Sequence, residues 1–319
     1  MENHLTDTTT YTSQYNHSLP DLSIVLVCWN NKDYLEPCLD SIFQGNLRCL
    51  FDVVVVDNGS TDGSQAMLRQ KFPQVEIIQN DRNVGLGRAS NQGIEATTGR
   101  YVLLLNNDTL VNGKSLDAMV DFLDTHPEAG AVGGMLLNPD GSFQSADSFF
   151  PSLLEDFMVA TRLGVLFWPT YPDRTCPDHV ESVDYITSAC LLLRRKALDQ
   201  VGLLDEEYFI YGDEVDLQYR LKKNGWPVYY LPDATTIHYG GRSMNRWSRR
   251  KMVYRGRILF YKKNYAWFHT LALRMMLAGL SLAKLLGWGV AYSVPGWRER
   301  AHREFDSNLD VLRLCWRLE

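Results

Sequence analysis

Apolar residues gather in short continuous runs, and the runs alternate with stretches whose apolar positions recur at helical spacing. The first run, Ser23–Cys28, is aliphatic and largely β-branched, which predicts a strand buried on both faces. A helical stretch from Asp33 to Phe43 follows, with Leu35, Leu39 and Ile42 on one face. Phe51–Val56 predicts a second buried strand and ends in the dense turn signal Asp57-Asn-Gly-Ser-Thr-Asp-Gly63. Ser60 or Asp62 is placed there to cap a helix running through Gln70. The alternation continues with a strand at Val75–Gln79, a helix at Leu86–Thr97 and a strongly apolar strand at Tyr101–Leu105. A helix at Ser115–Thr125 and a strand at Gly130–Leu137 complete it.

Strands alternating with helices predict an α/β fold with a mainly parallel central sheet and helices on both faces. Ligands of such sheets bind beyond the carboxyl ends of the strands. Polar residues crowd those ends: Trp29-Asn30-Asn31, Asp57-Asn58, Asn80-Asp81 and Asn106-Asn107-Asp108. Residues 138 to 185 lose the pattern and carry several prolines and aromatics, as expected of a lid or acceptor-side region. The pattern then predicts a strand over Ile186–Arg194, a helix over Glu214–Asn224 closed by Gly225, and a short strand over Val228–Leu231.

The remaining sequence divides the chain into three expected parts. Residues 1–20 are polar, lack the basic start and apolar core of a signal peptide, and read as a disordered lead-in to a catalytic domain over 21–245. From about residue 246 the pattern is all-helical, and Arg246 to Lys263 holds eight Lys or Arg and no acid. A Trp- and Leu-rich stretch follows, so 246–294 predicts a peripheral contact with the inner face of a membrane. A helical hairpin packed on the main domain, or a homo-oligomer contact, is the equal alternative. The net charge of −6 gives no general case for nucleic-acid binding. None of the six cysteines forms a C-x-x-C pair, so they read as reduced thiols of a cytoplasmic protein.

Five motifs carry candidate chemistry. Asp108, in Asn106-Asn107-Asp108 after the third apolar strand, offers a hard divalent cation an oxygen ligand; the same pattern also suits a turn or helix cap. Asp57 could accept a hydrogen bond from a base or ribose, or stabilise its own loop as an Asx turn. The segment from Asn80 to Asn91 contains Asn83, Gly85, Gly87 and Arg88 at a helix start that could face phosphate. It is a poor dinucleotide fingerprint, since Ser90 stands where a third glycine belongs and the segment does not follow the first strand. Asp213, Glu214 and Asp216 open a helix, where acids complement the helix dipole or act as a general base. His238 in Ile237-His-Tyr-Gly-Gly-Arg-Ser243 is a candidate metal ligand or a structural histidine, and Arg242 a candidate anion contact.

Taken in order, these motifs resemble the family 2 inverting glycosyltransferases, and among them the rhamnosyltransferase-like branch that builds bacterial polysaccharides. The resemblance rests on Val25–Asn30, Val54–Asp62, Asn83-x-Gly85, Leu104–Thr109, Ser188–Arg195, Gly212–Leu217 and His238–Ser243, and covers about residues 21 to 245. It implies a GT-A-type nucleotide-sugar-binding fold with a C-terminal helical extension. It assigns Trp29, Asn30, Asp57, Asn83, Gly85, Arg88, Asn106, Asn107, Asp108 and Arg242 to the donor, and Asp108 and His238 to Mg²⁺ or Mn²⁺. The catalytic base falls at Glu214, with Asp213 beside it. The sequence departs from the pattern at Asn106, which replaces the first acid of the metal motif, and in the reversed order of the acid pair. The implied donor is dTDP-rhamnose or a UDP-sugar, and the implied acceptor a saccharide or lipid-linked saccharide. Two rival enzyme classes, nucleotidyltransferases and dinucleotide oxidoreductases, need a Gly-rich first turn, which Trp29–Asp33 lacks. A non-catalytic nucleotide-sugar-binding protein is the third rival.

Overall fold

The computed structural model of the chain describes residues 19–167, 177–240 and 246–316. The principal strands are β1 (Leu22–Cys28), β2 (Phe51–Asp57), β3 (Glu76–Gln79), β4 (Tyr101–Asn106), β5 (Ala131–Leu137), β6 (Cys190–Arg194) and β7 (Val228–His238). They lie in the order β3-β2-β1-β4-β6-β5-β7. All run the same way except β6, which is antiparallel to both of its neighbours. Helices α1 (Lys32–Phe43), α2 (Ser64–Lys71), α3 (Leu86–Glu95) and α4 (Gly113–Thr125) supply the connections expected between the early strands.

Register brings the polar strand ends into line. Cys28 stands opposite Asp57, Val27 opposite Asn106, and Asp57 opposite Gln79. The apolar bodies of β1, β2 and β4 are almost wholly buried, so a one-residue slip would drive core side chains to the wrong face. Burial thus aligns the polar tips along one edge of the sheet.

Two expected strands come out differently. Ile186–Arg194 is not continuous: Tyr185–Ile186 pairs with Asp147–Ser148 in a separate ribbon, and β6 begins at Cys190. The buried amide of Gln218 fastens the break, accepting from Ile186 N at 2.8 Å and donating to Ile186 O at 2.7 Å. The short strand at Val228–Leu231 instead extends to His238. A register shift between Leu231 and Thr235 absorbs the proline-containing stretch that reads as a strand end.

The reversed strand ends in two arginines that serve different helices. Arg194 donates to Leu123 O, His126 O and Ala129 O, where α4 ends. Arg195 donates to Ile94 O, Gly99 O and the Thr97 hydroxyl, where α3 ends. Cations suit these positions because helix C-termini leave carbonyls unpaired and carry partial negative charge.

The later helices are α5 (Leu153–Thr161), α6 (Arg195–Val201), α7 (Asp213–Lys223), α8 (Arg246–Asn264), α9 (Trp267–Ala291) and α10 (Arg298–Trp316). The last three build a second apolar cluster, which includes Phe260, Tyr261, Leu273, Leu277 and Val311 and reaches Val215 of α7. Gly256 permits close contact with the main body: a Cβ there would lie 2.1 Å from the Tyr211 carbonyl oxygen. Half of the basic stretch, four of its eight side chains, is paired internally. Arg250 pairs with buried Glu304 at 2.9 Å, Lys251 with Asp310 at 3.2 Å, and Arg257 with Asp156 at 3.3 Å, while Lys263 pairs with Asp205 and Glu207. These pairs occupy half of the charge expected to attract anionic lipid.

Cys28, Cys38, Cys190 and Cys315 are buried free thiols and Cys49 is half-buried. Desolvation pushes Cys38 up to about 12 and Cys190 to about 11, so neither offers a thiolate at neutral pH.

Candidate active site

A cleft of about 1170 Å³ opens at the aligned edge of the sheet. Its walls come from the ends of β1, β4, β5 and β7, the Thr187–Ala189 link into β6, the turn before α7, and Arg249 of α8. Trp29, Asn83, Asn106, Asn107, Asp108, Glu214 and His238 all line it. Topology therefore gathers residues separated by up to two-thirds of the chain.

Asp108 and His238 meet directly. The sheet places His238 opposite Thr109, and Tyr239 N donates to Asp108 O at 2.9 Å. His238 Nε2 lies 3.3 Å from Asp108 Oδ1 and 3.3 Å from Asn106 Nδ2. Its Nδ1 donates to Gln144 Oε1 at 2.6 Å, and the Gln144 amide is oriented by donating to Asn138 Oδ1 at 2.9 Å. In the neutral tautomer that keeps its proton on Nδ1 toward Gln144, Nε2 turns its lone pair toward Asp108. A carboxylate oxygen and an imidazole lone pair on one wall fit a divalent cation. Among the described residues no group of three or more His, Cys, Asp or Glu gathers here, and the two candidate ligands on this wall are Asp108 and His238. That number suits an ion whose other positions are filled by phosphate oxygens and water.

Asn107 ties the edge together, accepting from Asn31 Nδ2 at 2.5 Å and donating to Val27 O at 2.7 Å. Asp57 is fully buried. Its Oδ2 accepts from Gln65 Nε2 at 2.5 Å and Ser60 N at 3.3 Å, while its Oδ1 is buried without a partner. Beside it, Asn58 donates to Asn83 Oδ1 at 3.1 Å and Gly85 O at 3.2 Å, so β2 holds the loop into α3.

Gly85 has φ +97°, and a Cβ there would lie 2.9 Å from Phe209 O. Only glycine suits that combination of backbone conformation and close approach. Leu86 N donates to the same Phe209 carbonyl at 2.7 Å, which fixes the loop that leads to α7.

Asn30 and Arg88 stand apart from the cleft walls. Asn30 adopts φ 51° and spends its Oδ1 on Thr61 N at 2.7 Å. Arg88 is exposed, 3.7 Å from Glu206. Arg242 lies outside the described residues.

The acid pair divides its labour. Glu214 lines the cleft, and its Oε2 accepts from Gly212 N at 3.1 Å. Asp213 is buried behind it with Oδ1 unpartnered, close to Gly87. Burial, reinforced by the neighbouring Glu214 charge and a hydrogen bond to it, holds the Asp213 carboxyl well above the usual carboxylate range.

Gln144, Tyr211 and Arg249 are among the cleft residues to which the sequence assigned no role. Gln144 sits in the segment without periodicity, Tyr211 in a loop with φ 64°, and Arg249 in the basic stretch. The Arg249 guanidinium lies 5.6 Å from the Tyr211 ring centroid, so a helix expected to be an appendage supplies part of the wall. The only available signal was Arg249's place among the basic residues, which does not single it out.

The family model for Glycosyl transferase family 2 matches residues 23–202. The chain is 35% identical over 242 residues to N-acetylglucosaminyl-diphospho-decaprenol L-rhamnosyltransferase of Mycobacterium tuberculosis, covering 70% of this chain and 78% of that protein. Its fold is similar to that of the mannosyltransferase PcManGT from Pyrobaculum calidifontis, solved in complex with GDP-Man and Mn²⁺. The TM-score is 0.57 at 15% identity, over 95% of this chain and 89% of that one. GalNAc-T7, solved with UDP, GalNAc and Mn²⁺, gives a TM-score of 0.54 at 16% identity, over 76% of this chain and 50% of that one. With the family model spanning more than half of its length and a full-scale relative at this identity, the chain belongs to glycosyl transferase family 2.

Proposed function

We propose that the chain moves a sugar, L-rhamnose in the first instance, from a nucleoside diphosphate to a hydroxyl of a lipid-linked saccharide, with inversion. The observation that carries this is the placement of the Asp108–His238 pair and the Glu214 carboxylate on the walls of one cleft. The mycobacterial relative, which acts on a diphospho-decaprenol saccharide, supports the choice of donor and acceptor.

In this reading Glu214 accepts the proton of the acceptor hydroxyl as its oxygen attacks the anomeric carbon. Gly212 N holds one Glu214 oxygen, which orients the carboxylate. Burial and the neighbouring Glu214 charge raise the Asp213 carboxyl, which favours its neutral form beside the base. Asn83 lines the cleft on the nucleoside side, and Asp57, buried at the same strand edge, keeps one oxygen unpartnered to accept from a base or ribose. Asp108 and His238 hold Mg²⁺ or Mn²⁺, which when bound neutralises charge on the departing diphosphate. Arg249 meets the acceptor's own diphosphate by charge-assisted hydrogen bonding.

The test is transfer from radiolabelled dTDP-rhamnose and UDP-sugars to a polyprenyl-diphosphate saccharide, with and without EDTA. The reading predicts a labelled lipid-linked product that EDTA abolishes and Mn²⁺ or Mg²⁺ restores. Failure of every donor to transfer or to hydrolyse would overturn it.

A further inference from the structure

Helix α9 is built inside out. Trp267, Leu271, Met275, Leu282, Leu286 and Val290 are between 50% and 76% exposed and recur at intervals of four and seven. Every exposed position of the helix is apolar or glycine. Its polar residues turn toward the protein instead. Thr270 and Ser281 are buried, Arg274 and Lys284 are half-buried, and Lys284 Nζ donates to Ala160 O at 2.8 Å. A helix that met water on this face would show the reverse pattern.

We infer that this face of α9 lies in the hydrocarbon boundary of a lipid bilayer, with the helix axis in the membrane plane. Three observations choose lipid over a second copy of the chain. Apart from the indole N–H of Trp267 at its end, the stripe offers no exposed hydrogen-bonding side chain, whereas protein interfaces carry about one hydrogen bond per 100–200 Å². Exposed aromatics mark both ends: Trp267 and Phe268 at one, Tyr292 and Trp297 at the other. Such side chains favour the depth where headgroups meet acyl chains. At the far end Arg300 lies 5.8 Å from both the Trp288 and Trp297 rings, placing a cation at that same level.

By length alone the 25 residues of α9 could cross a membrane. The chain after it decides otherwise. Helix α10 folds back along α9 and exposes Glu299, Arg300, His302 and Arg303. A crossing α9 would carry those charges into hydrocarbon, whereas an in-plane α9 leaves them on the aqueous side with the rest of the protein. With four of the eight basic residues of α8 paired internally, the apolar face of α9 carries the attachment rather than charge.

The experiment floats the full-length protein with vesicles of neutral phosphatidylcholine, or of phosphatidylcholine and phosphatidylglycerol, at low and high salt. The expected result is flotation with both, surviving high salt, and quenching of tryptophan fluorescence by acyl-brominated lipid. The variant Leu271→Glu/Leu282→Glu/Leu286→Glu, altered only at exposed positions, keeps its melting temperature and its donor hydrolysis. Its vesicle partition coefficient falls by about a hundredfold or more. Absence of flotation, or flotation only with anionic vesicles at low salt, overturns the inference. So does a dimer that the triple variant dissociates without any loss of vesicle binding. Flotation needs no substrate, so its failure is distinguishable from failure of the transfer reaction.

Discussion

Asp213 and Glu214 are adjacent in the chain, yet only Glu214 meets the cleft, while Asp213 is closed inside the protein with one oxygen unpartnered. The raised Asp213 pKa means that the folded chain holds a proton the unfolded chain releases. Its contribution to stability is therefore fully present below the unfolded carboxylate pKa and is lost as pH rises through the folded value. Asp213→Asn removes this loss. Its melting temperature is expected to exceed wild type by about 2–4 °C at pH 7.5, and the advantage should vanish below about pH 4. Thermal melts across pH check this; a lower melting temperature at pH 7.5 would show that the ionised carboxylate is needed.

Glu214→Gln is expected to lower kcat for transfer by about 10²–10⁴-fold while leaving donor affinity near wild type. Asp213→Asn should retain most of the activity. Steady-state kinetics on both variants decides the assignment, and an inactive Asp213→Asn beside an active Glu214→Gln would reverse it.

Manganese binding should depend on a residue that cannot ligate it well. Gln144 orients His238 through a 2.6 Å hydrogen bond, so Gln144→Leu should weaken Mn²⁺ affinity by about 10–100-fold in the presence of nucleoside diphosphate. His238→Ala should weaken it at least as much. Electron paramagnetic resonance titration of free Mn²⁺ measures both, and unchanged binding in His238→Ala would remove this residue from the metal site.

Arg249→Ala is expected to raise the acceptor KM by about 10–100-fold, the worth of a hydrogen bond to a charged group. Donor hydrolysis without acceptor should be unaffected. Equal losses in both assays would place Arg249 on the donor instead.

Gly85→Ala forces a side chain onto φ +97° and against the Phe209 carbonyl. A destabilisation of about 1–3 kcal/mol is expected. Chemical denaturation measures it, and a stability equal to wild type would mean that the loop relaxes freely.

Much of this arrangement was legible because burial dictates it. Apolar runs such as Leu103–Leu105 can only be core strands, and the polar residues that end them must then share an edge. The reversal of β6 was not legible, because Cys190–Arg194 has the same apolar composition as its parallel neighbours. Pro232 and Asp233 read as a strand end, yet the sheet absorbs them in a bulge, and that extension carries His238 to Asp108. Arg249 was hidden for another reason: a cleft wall contributed by a distant helix leaves no periodic trace. The choice between Asp213 and Glu214 depended on which faces inward, and a helix start alone does not fix that rotation.

The reversed strand has a further consequence. Because β6 runs against its neighbours, Arg194 and Arg195 fall at the edge of the sheet opposite the cleft, and from there each grips the end of a different helix. The framework is thus clamped at its rear, while the loops in front carry the chemistry. Because the Arg194 and Arg195 contacts lie away from the cleft, substitutions at the front edge are expected to leave this clamp, and with it the fold, in place.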